Sequence, residues 1–149
     1  MLITYLDTSA LLKKYIQETG SESLRKWWVR VDVIGSALIT RVEMAAALAK
    51  SERMGWIDAE TAKRAWEDFL VDWDKIVVTP ITDSIITRAS SLAWDFGLRD
   101  YDATHLASAL VWGETLNEKI ILGTFDRQLW QAAKRSQLEV WPEDLSVYF

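Results

Sequence analysis

Apolar residues along the chain fall into two alternating patterns. Short, nearly continuous apolar runs at 2–6 (LITYL), 33–39 (VIGSALI), 76–78 (IVV), 119–122 (KIIL) and 138–141 (LEVW) read as strands. Runs that are apolar on both faces suit a parallel sheet covered on both sides. Between them, residues 9–17, 21–31, 41–53, 59–74, 83–96, 101–114 and 127–135 repeat apolar positions at helical spacing. Gly20, Gly55 and Gly97 mark helix ends, and Pro80 and Pro142 follow strands. The segments 41–53 and 59–74, joined around Gly55-Trp56, predict a helical hairpin. Alternation of this kind predicts an α/β fold with right-handed crossovers, organised as one domain over 1–149.

Open parallel sheets bind ligands beyond the carboxyl ends of their strands, at the point where strand order reverses. Acids cluster in just those places. Asp7 follows the first strand, and Asp126 follows the fourth in Gly123-Thr124-Phe125-Asp126. Glu43 lies in the first turn of the helix after the second strand, and Asp100 and Asp102 open the helix before the fourth. Each has an ordinary structural use. Asp7, Asp126 and Asp100 suit helix N-caps, and Thr40-x-x-Glu43 matches a capping box. Their convergence argues for more, because clustered like charges raise one another's pKa unless a cation intervenes. A set of Asp and Glu oxygens without His or Cys suits Mg²⁺ or Mn²⁺, which in turn suits phosphoryl chemistry.

Composition narrows the chemistry further. The chain has no cysteine, which removes disulfides, thiolate metal sites and cysteine nucleophiles. His105 is the only histidine, so a multi-histidine zinc site is excluded, and it reads as a satisfied helix residue. There is no glycine-rich phosphate loop, and Ser9 has no evident base. A receiver domain would need an acidic pair after the first strand and an Asp after the third. Asp7 stands alone there, and the third strand leads into Thr79-Pro80. Residues 1–6 carry no basic leader and no apolar run approaches membrane-spanning length, so a cytosolic (cytoplasmic) protein is expected.

The stretches Leu6-Asp7-Thr8-Ser9-Ala10, Glu43, Asp102-Ala103-x-His105-Leu106-Ala107 and Thr124-x-Asp126 together resemble the PIN-domain nucleases. Among these the chain is most similar to the VapC-type ribonuclease toxins of toxin–antitoxin pairs, in motif order and over its whole length. The resemblance implies a three-layer α/β/α sandwich with a mostly parallel central sheet. It also implies Mg²⁺- or Mn²⁺-dependent endonucleolytic cleavage of RNA, a homodimer, and a small antitoxin protein as partner. Carried over residue by residue, the catalytic and metal-binding acids are Asp7, Glu43, Asp102 and Asp126. Ser9 and Thr124 match hydroxyl positions that hydrogen-bond a carboxylate or a water. Asp100 is then left as the N-cap or an outer acid, and Arg99 falls outside the pattern. A PIN nuclease of RNA maturation, or a non-catalytic module keeping the fold, are the competing expectations.

The net charge of −5 restricts any grip on RNA to local cations. Lys13, Lys14, Arg41, Lys50, Arg53 and Arg99 lie near the acid-bearing segments and are the candidates for phosphate contacts. Nine tryptophans serve chiefly for packing. Trp27 and Trp28 are adjacent on a helix and cannot both face one core, so one of them is expected to line a partner groove.

Overall fold

The computed structural model describes Met1–Phe149. Five parallel strands, β1 (Ile3–Leu6), β2 (Val33–Ala37), β3 (Val77–Thr79), β4 (Ile121–Gly123) and β5 (Glu139–Trp141), form one sheet in the order β3-β2-β1-β4-β5. Seven α-helices connect and cover them: α1 (Thr8–Tyr15), α2 (Ser21–Trp28), α3 (Thr40–Arg53), α4 (Ala59–Trp73), α5 (Asp83–Phe96), α6 (Asp100–Leu116) and α7 (Arg127–Arg135). A short 3-10 turn at Leu145–Tyr148 follows β5. The strands winding outward from β1 run one way through β2 and β3, and the other way through β4 and β5. The switch point therefore lies between β1 and β4.

Two apolar clusters fill the sandwich. On one face, Tyr5, Ala37 and Leu122 of the sheet pack against Ile85 and Ala89 of α5, Leu106 and Ala109 of α6, and Leu129 and Ala133 of α7. On the other, Leu6 packs with Ala10 and Leu11 of α1, Leu24 of α2, Met44 of α3, and Phe69 and Trp73 of α4. All of β1 is buried, as its continuous apolar run predicts for a central strand.

Helix α6 departs from the sequence reading. Every residue from Asp102 to Ala109 is buried, so the helix is enclosed by sheet and neighbouring helices rather than showing one apolar stripe. Trp112 presses its indole onto the sheet at Gly35, where a Cβ would stand 2.5 Å from the ring. Only glycine permits that approach, and it sets how closely the C-terminal part of α6 lies on the sheet.

The two tryptophans of α2 pack against different neighbours. Trp27 is buried and stacks on Trp141 with centroids 5.3 Å apart. Trp28 packs on the opposite side against the α1–α4 cluster, with the Lys14 ammonium 3.9 Å from its ring centroid. Both rings are engaged in packing, and Trp27 also lines an open cavity with Arg30, Trp141 and Tyr148. No helix is long and apolar enough to cross a membrane.

Candidate active site

The residues that follow β1 and β4 meet at the switch point. Asp7 caps α1, its Oδ1 accepting from the Ala10 amide at 3.0 Å. Asp126 caps α7 in the same way, its Oδ1 accepting from the Leu129 amide at 3.0 Å. Capping and site membership turn out to be compatible, because each acid commits one oxygen to its helix and keeps the other. Asp7 Oδ2 accepts from the Thr124 hydroxyl at 2.7 Å, and the Ser9 hydroxyl donates to Asp7 Oδ1 at 2.8 Å. Thr124 Oγ1 accepts from the Asp126 amide, and Ser9 Oγ from the Phe125 amide. The two hydroxyls expected beside the acids thus lace the start of α1 to the turn between β4 and α7.

Glu43 makes no capping box. Helix α3 begins at Thr40, behind Ile39, which has no side-chain oxygen to cap it. The Ser36 hydroxyl donates to the Leu6 carbonyl at 2.7 Å, which leaves the Thr40 hydroxyl to donate to Ser36 Oγ. This tie fastens the start of α3 to the end of β1 and brings Glu43 beside it. Glu43 Oε1 accepts from the Thr8 hydroxyl at 2.9 Å and from His105 Nε2 at 2.6 Å. His105 Nδ1 lies 2.7 Å from the Tyr5 hydroxyl. Burial, and then the charge of Asp7, hold the Tyr5 pKa far above its usual value, so the phenol keeps its proton. Nε2–H donates to Glu43, and Nδ1 shares its hydrogen bond with the Tyr5 hydroxyl. His105 is a satisfied helix histidine, as expected, but its partner is a site acid.

The adjacent acids at the start of α6 separate cleanly. Asp102 is 3% exposed, whereas Asp100 faces solvent. The expected N-cap role of Asp100 is not what the structure shows. Arg99 is the N-cap residue, extended and without a side-chain cap bond, and Asp100 is the first helical residue. Its Oδ1 accepts from the amide of Tyr101, next to it. The helix starts one residue early, behind Arg99, whose donor-only guanidinium cannot cap it. Arg99 Nη2 lies 3.0 Å from Asp102 Oδ2 and 2.7 Å from Asp126 Oδ2. Sequence reading placed Arg99 outside the site; its spacing of three residues before Asp102 was the available signal. Thr8 and Tyr5 were missed for want of any local signal.

The electrostatics are those of a site short of positive charge. Burial first, then the carboxylate of Asp126, pushes the Asp102 pKa up to about 6. Burial also raises that of Asp7, against the opposing pull of His105 and the hydroxyl donors. The donor set is all carboxylate oxygen, which fits Mg²⁺ or Mn²⁺. As the side chains stand, however, no three His, Asp or Glu residues are gathered tightly enough to enclose an ion. The expected carboxylate cage is not formed as the side chains stand.

Of the cations proposed for phosphate contact, Lys13 is paired with Glu18 and Lys14 with Asp72. Arg99 is held by the two acids, while Arg41, Lys50 and Arg53 are exposed along α3.

Comparison with known proteins agrees with this geometry. The PIN domain family is matched over residues 4–135. Ribonuclease VapC49 of Mycobacterium tuberculosis (strain ATCC 25618 / H37Rv) is 32% identical over 148 residues, covering 97% of this chain and 99% of the relative. Ribonuclease VapC46 of the same organism is 32% identical over 135 residues, covering 90% and 92%. Among solved structures, PAE2754 from Pyrobaculum aerophilum superposes with a TM-score of 0.67 at 22% identity, covering 99% of this chain and 89% of that one. VapBC2 from Rickettsia felis, bound to a DNA fragment from their promoter, gives a TM-score of 0.63 at 13% identity, covering 93% and 97%. These structural likenesses bear on the fold, and they share its sandwich of helices about a parallel sheet. The span matched by sequence takes in all four acid-bearing segments, and the chain belongs to the PIN domain family, grouping within it with the VapC proteins.

Proposed function

We propose that the chain is a Mg²⁺- or Mn²⁺-dependent endoribonuclease acting as the toxin of a toxin–antitoxin pair, with Asp7, Glu43, Asp102 and Asp126 as its working acids. The observation that carries this reading is the meeting of Asp7 and Asp126 at the β1/β4 switch point, joined through Thr124 and backed by the buried Asp102. The curated relatives named Ribonuclease VapC support RNA as the substrate. A solved VapBC2 assembly and a toxin–antitoxin complex from Klebsiella pneumoniae support a small antitoxin as partner. A homodimer is the expected form of the free chain.

Asp7, Glu43, Asp102 and Asp126 would hold a divalent cation, which would lower the pKa of water and offset the charge gathering on the phosphodiester. The protein's own part is to hold the acids still. Asp7 is fixed by Ser9, Thr124 and the Ala10 amide, so its carboxylate need not reorganise during the reaction. Glu43 is fixed by Thr8 and by His105, whose ring is in turn oriented by the buried Tyr5 hydroxyl. Arg41 at the start of α3 and Lys50 and Arg53 near its end are exposed cations that can meet flanking RNA phosphates.

Inducing the chain in a bacterial host is expected to arrest growth and to create discrete new RNA 5′ ends. Co-expression of a cognate antitoxin should relieve both. Growth and 5′ ends unaltered by induction would contradict the toxin reading.

A further inference from the structure

The acidic site contains one cation, and it stands where two of the acids would have to bind a metal. Arg99 Nη2 touches Oδ2 of Asp102 and Oδ2 of Asp126, and Arg99 Nε adds a bond of 3.1 Å to the same Asp102 oxygen. One nitrogen therefore holds an oxygen from each acid, and the other oxygen of Asp126 is committed to capping α7. The acids themselves are tucked in, with side chains 4% and 23% exposed, while the Arg99 side chain is 52% exposed. Its guanidinium also rests over the Tyr101 ring, 4.6 Å from the centroid.

We propose that Arg99 is a built-in competitor of the divalent cation, holding Asp102 and Asp126 in the metal-free protein and yielding them when the cation binds. This rests on the reading of the four acids as a metal site and adds how that site is kept before it is loaded. Two like charges, one of them buried, repel unless a counter-charge lies between them. A guanidinium meets that need through charge-assisted hydrogen bonds, and each bonded oxygen is then lost as a metal ligand. Arg99 thereby occupies one oxygen of Asp102 and the one oxygen of Asp126 that its helix leaves available. Departure of Arg99 disturbs little, because the side chain is half in solvent and belongs to neither apolar cluster. Arg99 thus sets the metal affinity without itself ligating.

Calorimetric titration with Mn²⁺ of the parent, Arg99→Gln, Arg99→Lys and Asp7→Asn, with thermal melts in EDTA and in Mn²⁺, tests this. Arg99→Gln is expected to bind Mn²⁺ about tenfold more tightly than the parent, the size of effect that charged hydrogen bonds carry. It should also melt lower in EDTA and gain more from Mn²⁺, whereas a purely structural role would lower both melts alike. Arg99→Lys keeps the charge without the fork and should fall between. A parent that binds Mn²⁺ and an Arg99→Gln that binds it no more tightly would overturn this proposal and leave the metal site standing. Absence of Mn²⁺ binding in the parent and in every variant would overturn both.

Discussion

RNA cleavage by Asp7→Asn is expected to fall at least about a hundredfold, since even partners one layer outside a metal's ligands cost about 10–100-fold when lost. Asparagine keeps the shape of the side chain. Its oxygen can still cap α1 at Ala10, and the Ser9 and Thr124 hydroxyls can turn to suit the amide. What disappears is the charge. Folding is not expected to suffer. The folded-state pKa of Asp7 is raised by burial, so the native state holds the proton more tightly than the unfolded chain does. Stability then falls as pH rises above the ordinary carboxylate range, because the unfolded chain gives up this proton first. In chelator at pH 7, the urea midpoint of Asp7→Asn should be no lower than that of the parent. Any advantage should shrink as pH is lowered toward the carboxylate range. A variant that cleaves as the parent does would remove Asp7 from the site.

Asp102→Asn should lose cleavage to a similar extent, while Asp100→Asn should retain most of it. The two residues are separated by one position in sequence and by nearly the whole range of exposure. Asp102 is buried, its pKa is pushed up to about 6 by burial and by Asp126, and it meets Arg99. Asp100 is exposed and bonds only to the Tyr101 amide through its side chain. Parallel single-turnover assays of the two variants, with urea melts to confirm folding, make the comparison. Equal losses in both would mean that Asp100 also reaches the reacting groups.

The strands were legible because they are buried on both faces, and continuous apolar runs carry that directly. Their boundaries shift by a residue or two; the third, for example, is Val77–Thr79 rather than 76–78. Strand order is a different matter. Nothing local says that β4 inserts beside β1, yet this pairing is what sets Asp126 next to Asp7. The four acids could be picked out by their place after strands and by motif, but their partners could not. Thr8 and His105 reach Glu43 across 35 and 62 residues of sequence. Helix α6 defeated the periodicity argument because it is enclosed nearly all round, so its buried arc takes in Asp102. Arg99 was read only as a candidate for phosphate contact, because in sequence an arginine at a helix start resembles ordinary surface. Only its two carboxylate contacts distinguish it.

The most direct measurement is cleavage of a defined RNA by the purified parent chain, first in EDTA and then after addition of Mg²⁺ or Mn²⁺ in excess. Four clustered carboxylates acting through a divalent cation predict intact RNA in EDTA and discrete fragments once the cation is restored. Fragments of the same sequence and yield in EDTA would contradict it.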